Sequence, residues 1–373
     1  MANIADVMAD ITPDTPARDA ARAIIAAKAQ PLFELESAAA SGADADAVHD
    51  MRVASRRVRE ALRVFAPVYR RSAVDAMDDV ARAVTRALGA VRDADVLIDA
   101  LERFSAKADS DAERAALGYL IGYRRGVREA ELARMRKRLG KLDLRDQEKR
   151  FERALRDTRS TPEAKEPLAR MARTVVFARI DDFFGHLPDA LVPERIEAQH
   201  AMRIAGKHLR YAIETLVPCI APGRYDSLHD ALVHFQDVLG EMHDCDVWSS
   251  FVLEAGATPE ASRAGLTDEG VRALLDDIAR RRRRHFQDFR AHLDTYNEAA
   301  LREAVEEALL PETPEPAVAT ALAQPEMPGP LVTGDGLFVS TVPGPSPPRR
   351  SRTPGERTAT AADADPTESG SVS

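Results

Sequence analysis

The chain has 373 residues, of which 45% are apolar, 30% charged and only 5% aromatic, enough apolar material for one large duplicated core or two ordinary ones. A net charge of −9 and a pI near 5.6 exclude a general basic coat for nucleic acid or membranes, so any anion-binding surface has to be a local patch. No apolar run is long enough to cross a bilayer, and the acidic start, with Asp6 and Asp10, lacks the pattern of a secretory signal, so a cytoplasmic address is expected.

Residues 1–15 are polar and read as a flexible lead-in. From about 16 to 309 apolar residues recur at helical spacing, and alanine, leucine and arginine dominate. The spacing predicts helices over 17–40, 45–66, 71–105 and 110–139, with Pro31 expected to kink or split the first. A highly charged link near 143–167 follows, with some helical character. A second set is predicted over 163–186, 194–217, 224–254 and 267–309. The fold class is therefore all-α, with one repeat over about 16–142 and another over about 163–309. Twelve of the 23 prolines fall in 311–373, and the composition from 310 onward predicts a disordered acidic tail. Its apolar piece Leu337-Phe338-Val339 reads more simply as an accident of composition than as a docking peptide for a protein partner. Cys219 and Cys245 have no metal-ligand spacing and suit small buried roles in a reducing compartment.

The two sets of helices are copies. His49-Asp50-Met51-Arg52-Val53-Ala54-Ser55-Arg56-Arg57-Val58-Arg59 returns as His200-Ala201-Met202-Arg203-Ile204-Ala205-Gly206-Lys207-His208-Leu209-Arg210, an offset of 151 residues that holds for 48 positions without a gap. Pro67 matches Pro218, Leu88-Gly89 matches Leu239-Gly240, and Asp93, Asp95 and Val96 match Asp244, Asp246 and Val247. Earlier in each copy Lys28 matches Arg179. Duplicated folds keep apolar patterns and let charges drift; here charges, glycine and proline are kept.

At 100° per residue His49, Arg52, Arg56, Arg59 and Arg63 share one arc of their helix, opposite Met51, Ala54, Val58, Leu62 and Phe65. His200, Arg203, Lys207 and Arg210 repeat the arc, with Glu214 where Arg63 stood. A solvated face usually mixes signs, because like charges at this spacing cost about 0.2–0.5 kcal/mol per pair. Cations at one-turn intervals suit a ligand with repeated negative charge; arginine offers phosphate a planar fork and lysine a point charge. The histidines add donors to phosphate. Two such helices related by a pseudo-twofold would line one basic groove or channel. Arg92, Arg124, Arg125, Arg128, Arg281 and Arg284 extend it, with Lys28 and Arg179 on the leading helices. Asp93, Asp95, Asp244 and Asp246 read as carboxylates that hold these arginines in place, and not as metal ligands.

The strings "HDMRVASRRVREALRVF" and "HAMRIAGKHLRYAIETL", each followed by "LGAVRDADVL" or "LGEMHDCDVW", resemble the CHAD domain, the conserved-histidine α-helical domain, over about residues 16–309. The resemblance implies two pseudo-twofold-related four-helix bundles with a basic central pore, binding of inorganic polyphosphate, and association with polyphosphate granules. It places His49, Arg52, Arg56, Arg59, His200, Arg203, Lys207 and Arg210 at the phosphate-facing positions. No cofactor is expected; Mg²⁺ or Ca²⁺ would arrive with the polyphosphate. Nothing encodes an adjoining β-structured triphosphate domain.

Two other readings stay open. His49-Asp50, His229-Asp230 and His243-Asp244 resemble the pairs of helical metal-dependent phosphohydrolases, although Asp50 becomes Ala201 and His229 corresponds to Asp78. Nucleic-acid binding would use the same phosphate contacts but needs stacking aromatics, and Tyr211 is almost the only one beside the rows. The sequence does not give the oligomeric state.

Overall fold

Helices account for nearly every element of the computed structural model, which describes residues 4–41, 45–108, 110–157, 159, 161–263 and 266–311. In chain order they are α1 (Ile4–Ala9), α2 (Ala17–Glu34), α3 (Glu36–Ser41), α4 (Ala45–Val64), α5 (Arg71–Ser105), α6 (Asp111–Leu142), α7 (Leu144–Leu155), α8 (Leu168–Gly185), α9 (Leu187–Ala190), α10 (Ile196–Thr215), α11 (Tyr225–Gly256), α12 (Pro259–Arg263), α13 (Asp268–Thr295) and α14 (Glu298–Ala308). Among the described residues the extended pairings outside helices are two isolated bridges, Pro16 with Pro167 and Ile220 with Leu309.

Local chemistry sets many boundaries. Ser110, Thr267 and Asn297 cap α6, α13 and α14 by accepting from the backbone N–H groups of Glu113, Gly270 and Ala300, each satisfying a donor the first turn leaves open. Asp143, at φ 42°, ends α6 and caps α7 through the Asp146 N–H; a short polar side chain tolerates this left-handed position better than most. Pro31 sits inside α2, which ends three residues later before α3 resumes. The first predicted helix is thus split, by a proline that leaves its own turn intact. The last predicted helix is broken too, at Tyr296, where the Asn297 cap starts α14. The charged link carries α7, anchored by buried Phe151 and Leu155.

The second half repeats the packing order of the first. Helices α2, α4, α5 and α6 pack in sequence, as do α8, α10, α11 and α13, and equivalent helices touch across the middle: α2 with α8, α4 with α10, α6 with α13. The Pro16–Pro167 bridge joins two residues that are themselves repeat equivalents. Its bonds are reciprocal, Ala17 N–H to Glu166 O at 2.8 Å and Leu168 N–H to Thr15 O at 2.9 Å, as a pseudo-twofold through that point requires. The halves do not close separate cores. One apolar cluster runs from Ile24 and Phe65 through Phe183 and Phe235 to Val305, and a second joins Leu101, Phe104 and Leu120 to Trp248, Val252 and Ile278.

The expectation of a loose lead-in over residues 1–15 is corrected for 4–15. This segment forms α1, buries Ile11 and holds α8 through Thr15 O and Pro13 O, because the twofold brings the two repeat starts together. At the other end Leu310 N–H reaches Cys219 O at 2.8 Å and Ala221 N–H reaches Ala308 O, so paired backbone continues just past 309. The predicted tail from 312, including Leu337-Phe338-Val339, lies outside the described residues. Both cysteines are buried and free, and burial pushes each thiol up to about 12.

Phe235 sits at the centre of the larger cluster, edge-on to Phe183 at 5.3 Å and to Phe289 at 6.5 Å. Phe183 in turn lies where a Cβ on Gly206 would come within 3.0 Å of its ring, which explains a glycine inside α10 where the first repeat has Ser55. Phe235→Ala is expected to cost about 3–5 kcal/mol of folding stability, read by chemical denaturation. A loss under about 1 kcal/mol would show that the shared core does not rest on this aromatic stack.

Candidate functional site

The cation rows belong to α4 and α10, and these helices pack against each other. The rows therefore converge. Arg56 reaches over the ring of Tyr211 at 5.4 Å, and Arg210 lies over the same ring at 4.4 Å. Lys207 feels the charges of Arg203, Arg56 and Arg52, with Asp244 opposing them, and Arg203 likewise lies near both Asp244 and Arg56. Four cations, two from each repeat, thus share one half-buried zone. Within it the Nε atoms of Arg56 and Arg203 are buried without a hydrogen-bond partner among the described residues.

A glycine makes room for one of these side chains. A Cβ on Gly89 would come within 3.3 Å of Arg52 NH1, and one on Gly240 within 4.0 Å of Arg203 Nε. Gly89 is therefore where α5 lets Arg52 lie along it, whereas the distance at Gly240 is ordinary van der Waals contact. Asp93 accepts from Arg52 at 3.2 Å, and Asp244 sits near Arg203, its own carboxyl pushed up by burial and drawn back down by that guanidinium. Asp95 pairs with Arg128, and Asp246 with Arg282 at 2.5 Å. Three of the four aspartates thus hold arginines, two of them linking the third helix to the fourth, one in each repeat, while Asp244 acts on Arg203 only through its charge. Among the described residues, no three His, Cys, Asp or Glu side chains group as a metal ion would need.

Burial and like charge act together on the titratable groups. Desolvation first, then Arg203 and Arg56, lower the Lys207 ammonium to about 7. His200 and His243 are lowered by burial and then by Arg203, His243 to about 4. Their Nδ1 atoms are 3.1 Å apart, a hydrogen bond that needs one neutral ring to accept. In the first repeat His49 is likewise lowered by burial and by Arg92, the residue equivalent to His243.

Not every residue of the predicted rows joins this zone. Arg59 donates to Asp78 at 3.0 Å, Arg63 pairs with Glu60, and Arg210 is held by Gln236 at 2.7 Å and by Glu214. The C-terminal halves of the rows are thus neutralised by acids from neighbouring turns and helices. The leading-helix cations belong to this neutralised end as well: Lys28 lies near Glu214, and Arg179 near Glu60 and His208. Lys28 is lowered to about 8, burial outweighing Glu214.

On the fourth helices Arg125 pairs with Glu102 at 2.6 Å, Arg281 lies over Phe104 and bonds Asp277, and Arg284 is exposed. Of the five consecutive arginines it is Arg282 that turns inward, reaching Asp246, Gln199 and Pro193 O. The signal was in the sequence: Ile278, Arg282 and Phe286 are spaced by four and share the buried face of α13. Tyr211 and the His200–His243 contact carry more of the site than their spacing suggested.

With this geometry in place the comparisons are informative. A family model of the CHAD domain matches residues 23–253, more than half of the chain, and the chain belongs to that family, which is associated with polyphosphate binding in general. Among solved structures, the CHAD domain from the plant Ricinus communis is similar with a TM-score of 0.59 and 21% identity, covering 76% of this chain and 93% of that one. PptA from Streptomyces chartreusis gives a TM-score of 0.51 and 17% identity, covering 75% of this chain and 100% of that one. At these identities the likeness concerns the fold. No curated protein matches. Among the described residues no helix is long and apolar enough to cross a membrane.

Lys207 gives a test with a definite sign. Its folded-state pKa lies below the value of an exposed lysine, so between about pH 7 and the unfolded value near 10.4 the unfolded chain binds more protons, and stability rises with pH. Below pH 7 the buried ammonium carries its full penalty. Lys207→Met is therefore expected to raise the melting temperature at pH 6, with the gain shrinking as pH approaches 10. A variant equally or less stable than the parent at pH 6 would contradict the assigned burial and repulsion.

Proposed function

We propose that this protein binds inorganic polyphosphate along the α4–α10 zone, without turning it over. The observation that carries the reading is the convergence of Arg52, Arg56, Arg203 and Lys207 from two repeats, with Arg56 and Arg203 each keeping a buried Nε unpartnered by protein. Any two like charges about 6–8 Å apart repel by roughly 2–3 kcal/mol at an effective dielectric near 20. A linear polyanion reverses that sign at every residue and binds only the folded chain, so it stabilises the fold in proportion to its occupancy. Affinity falls with salt, as it does for any interaction between partly exposed charges.

Each repeat supplies one wall, and the aspartates preset the arginine forks before the ligand arrives. His200, His243 and Lys207 are largely neutral or half-charged when the site is free. A phosphate beside them raises their proton affinity, so binding near neutral pH takes up protons. The neutralised end of the rows, from Arg59 to Arg63 and at Arg210, contributes positioning and not ligand contacts in this reading. Polyphosphate granules are the setting this function fits.

Binding rather than hydrolysis is supported by where the histidine–aspartate neighbours go. His229 bonds Glu214 at 3.2 Å while staying 3.9 Å from Asp230, and His243 turns to His200; among the described residues neither joins a group a metal ion could use. Tyr211, the aromatic between the rows, is buried and already carries Arg56 and Arg210 over its ring, which supports polyphosphate over single-stranded nucleic acid.

Charge reversal at one arginine of each row tests the reading. Arg52→Glu combined with Arg203→Glu is expected to weaken long-chain polyphosphate binding by at least about a hundredfold, since two charge-assisted contacts at roughly 1.5–3 kcal/mol each are lost. Calorimetric titration measures it, with far-ultraviolet circular dichroism as the check on helical content. A folded double variant with parental affinity would remove the zone from the function.

A further inference from the structure

The two repeats differ where the converging rows end. Beyond His200 and His243 a pocket of about 560 Å³ opens between α10, α11 and the facing turns of α5 and α6, its lining including Arg124, Ile196, His200, His243, Val247 and Phe251. One end faces the cation rows. His200 and His243 lie near Arg203 and Lys207, and Arg124 lies near Asp93, the partner of Arg52. The Nε of Arg124 is buried without a partner among the described residues. The other end is apolar: Phe251 has Tyr123 at 6.2 Å and the Arg124 guanidinium over its ring at 5.8 Å, while Ile196 and Val247 are 41% and 45% exposed.

Val247 has its match in Val96, but the rest of this apolar end is not inherited from the duplication. The positions equivalent to Ile196, Ser250, Phe251 and Glu254 are Ala45, Asp99, Ala100 and Arg103. The first repeat instead has a polar hollow lined by Asp95, Asp99, Glu102, Arg125 and Arg128, among others. A phosphate chain gains nothing from an aromatic ring and exposed aliphatic side chains at the end of its cation row. A ligand with phosphates at one end and a flat apolar ring at the other gains from both.

We propose that this pocket receives the nucleoside end of a nucleoside 5′-polyphosphate, with the base against Phe251 and Val247 and the phosphates directed toward His200, His243 and Arg203. The proposal rests on the polyanion reading of the rows and adds a second ligand class to the same site. Asp246 does not oppose the phosphates, because Arg282 neutralises it. Glu197 and Glu254, exposed at the rim, are acceptors for ribose hydroxyls or a base amino group.

Titration of the full chain with ATP and with inorganic tripolyphosphate, both free of divalent metal, separates base from charge. ATP carries the smaller negative charge, so a site that reads charge alone prefers tripolyphosphate. The expected result is ATP tighter by about tenfold, the scale of one base stacked on an aromatic ring. Phe251→Ala removes that preference and leaves tripolyphosphate affinity unchanged, which also reports an intact fold. Val247→Gln, a neutral change at an exposed position, is a second variant expected to do the same. ATP no tighter than tripolyphosphate, or a preference that survives both substitutions, overturns the proposal. A long-chain polyphosphate titration runs alongside: its binding with no ATP preference sinks the pocket alone, whereas its failure sinks the reading of the rows and the pocket with it.

Discussion

Repulsion between cations brought together by the pseudo-twofold is the constraint around which the rest of the molecule is arranged. Arg52, Arg56, Arg203 and Lys207 come from equivalent turns of α4 and α10, and packing those helices against each other forces the charges into one zone. An isolated helix pair would splay. Here the shared apolar cores, the reciprocal Pro16–Pro167 bridge and the contacts of α2 with α8 and α6 with α13 hold the pair closed. Fold stability and anion affinity therefore oppose each other in the free protein and cooperate in the bound one.

The neutralised parts of the rows show how narrowly that repulsion is allowed. Toward the C-terminal ends of α4 and α10 every cation of the arc has an acid or amide at hand: Asp78 for Arg59, Glu60 for Arg63, Glu214 and Gln236 for Arg210. Toward their N-terminal ends the acids stand behind the arginines, on α5 and α11, and leave the converging face positive. Gly89 leaves α5 the room for Arg52 to lie along it. Conformational freedom is not its purpose, since it lies within a long helix. The side chain it lacks is what matters.

Helix order, the duplication and the facing rows were legible because each is a periodicity or an offset, and both survive without knowledge of tertiary partners. The neutralisation of Arg59, Arg63 and Arg210 was not, because periodicity tells which face a cation occupies and not which acid of another helix meets it. Arg282 lay between: its phase with Ile278 and Phe286 marked it as the inward arginine, but the run of five concealed the phase. The docking of residues 4–15 followed from symmetry, which brings Pro16 to Pro167, while the local composition argued for a loose segment. Membership of the CHAD family agrees with the motif resemblance, whose charges fall at the positions the twofold brings together.

The central claim is that one extended anion touches both repeats at once. A crystal structure of the protein with a polyphosphate of defined length tests this most directly. The account expects a single phosphate chain whose oxygens meet Arg52 or Arg56 from one repeat and Arg203 or Lys207 from the other. Separate anions seated on each repeat, or a chain bound elsewhere with these four side chains untouched, would contradict it.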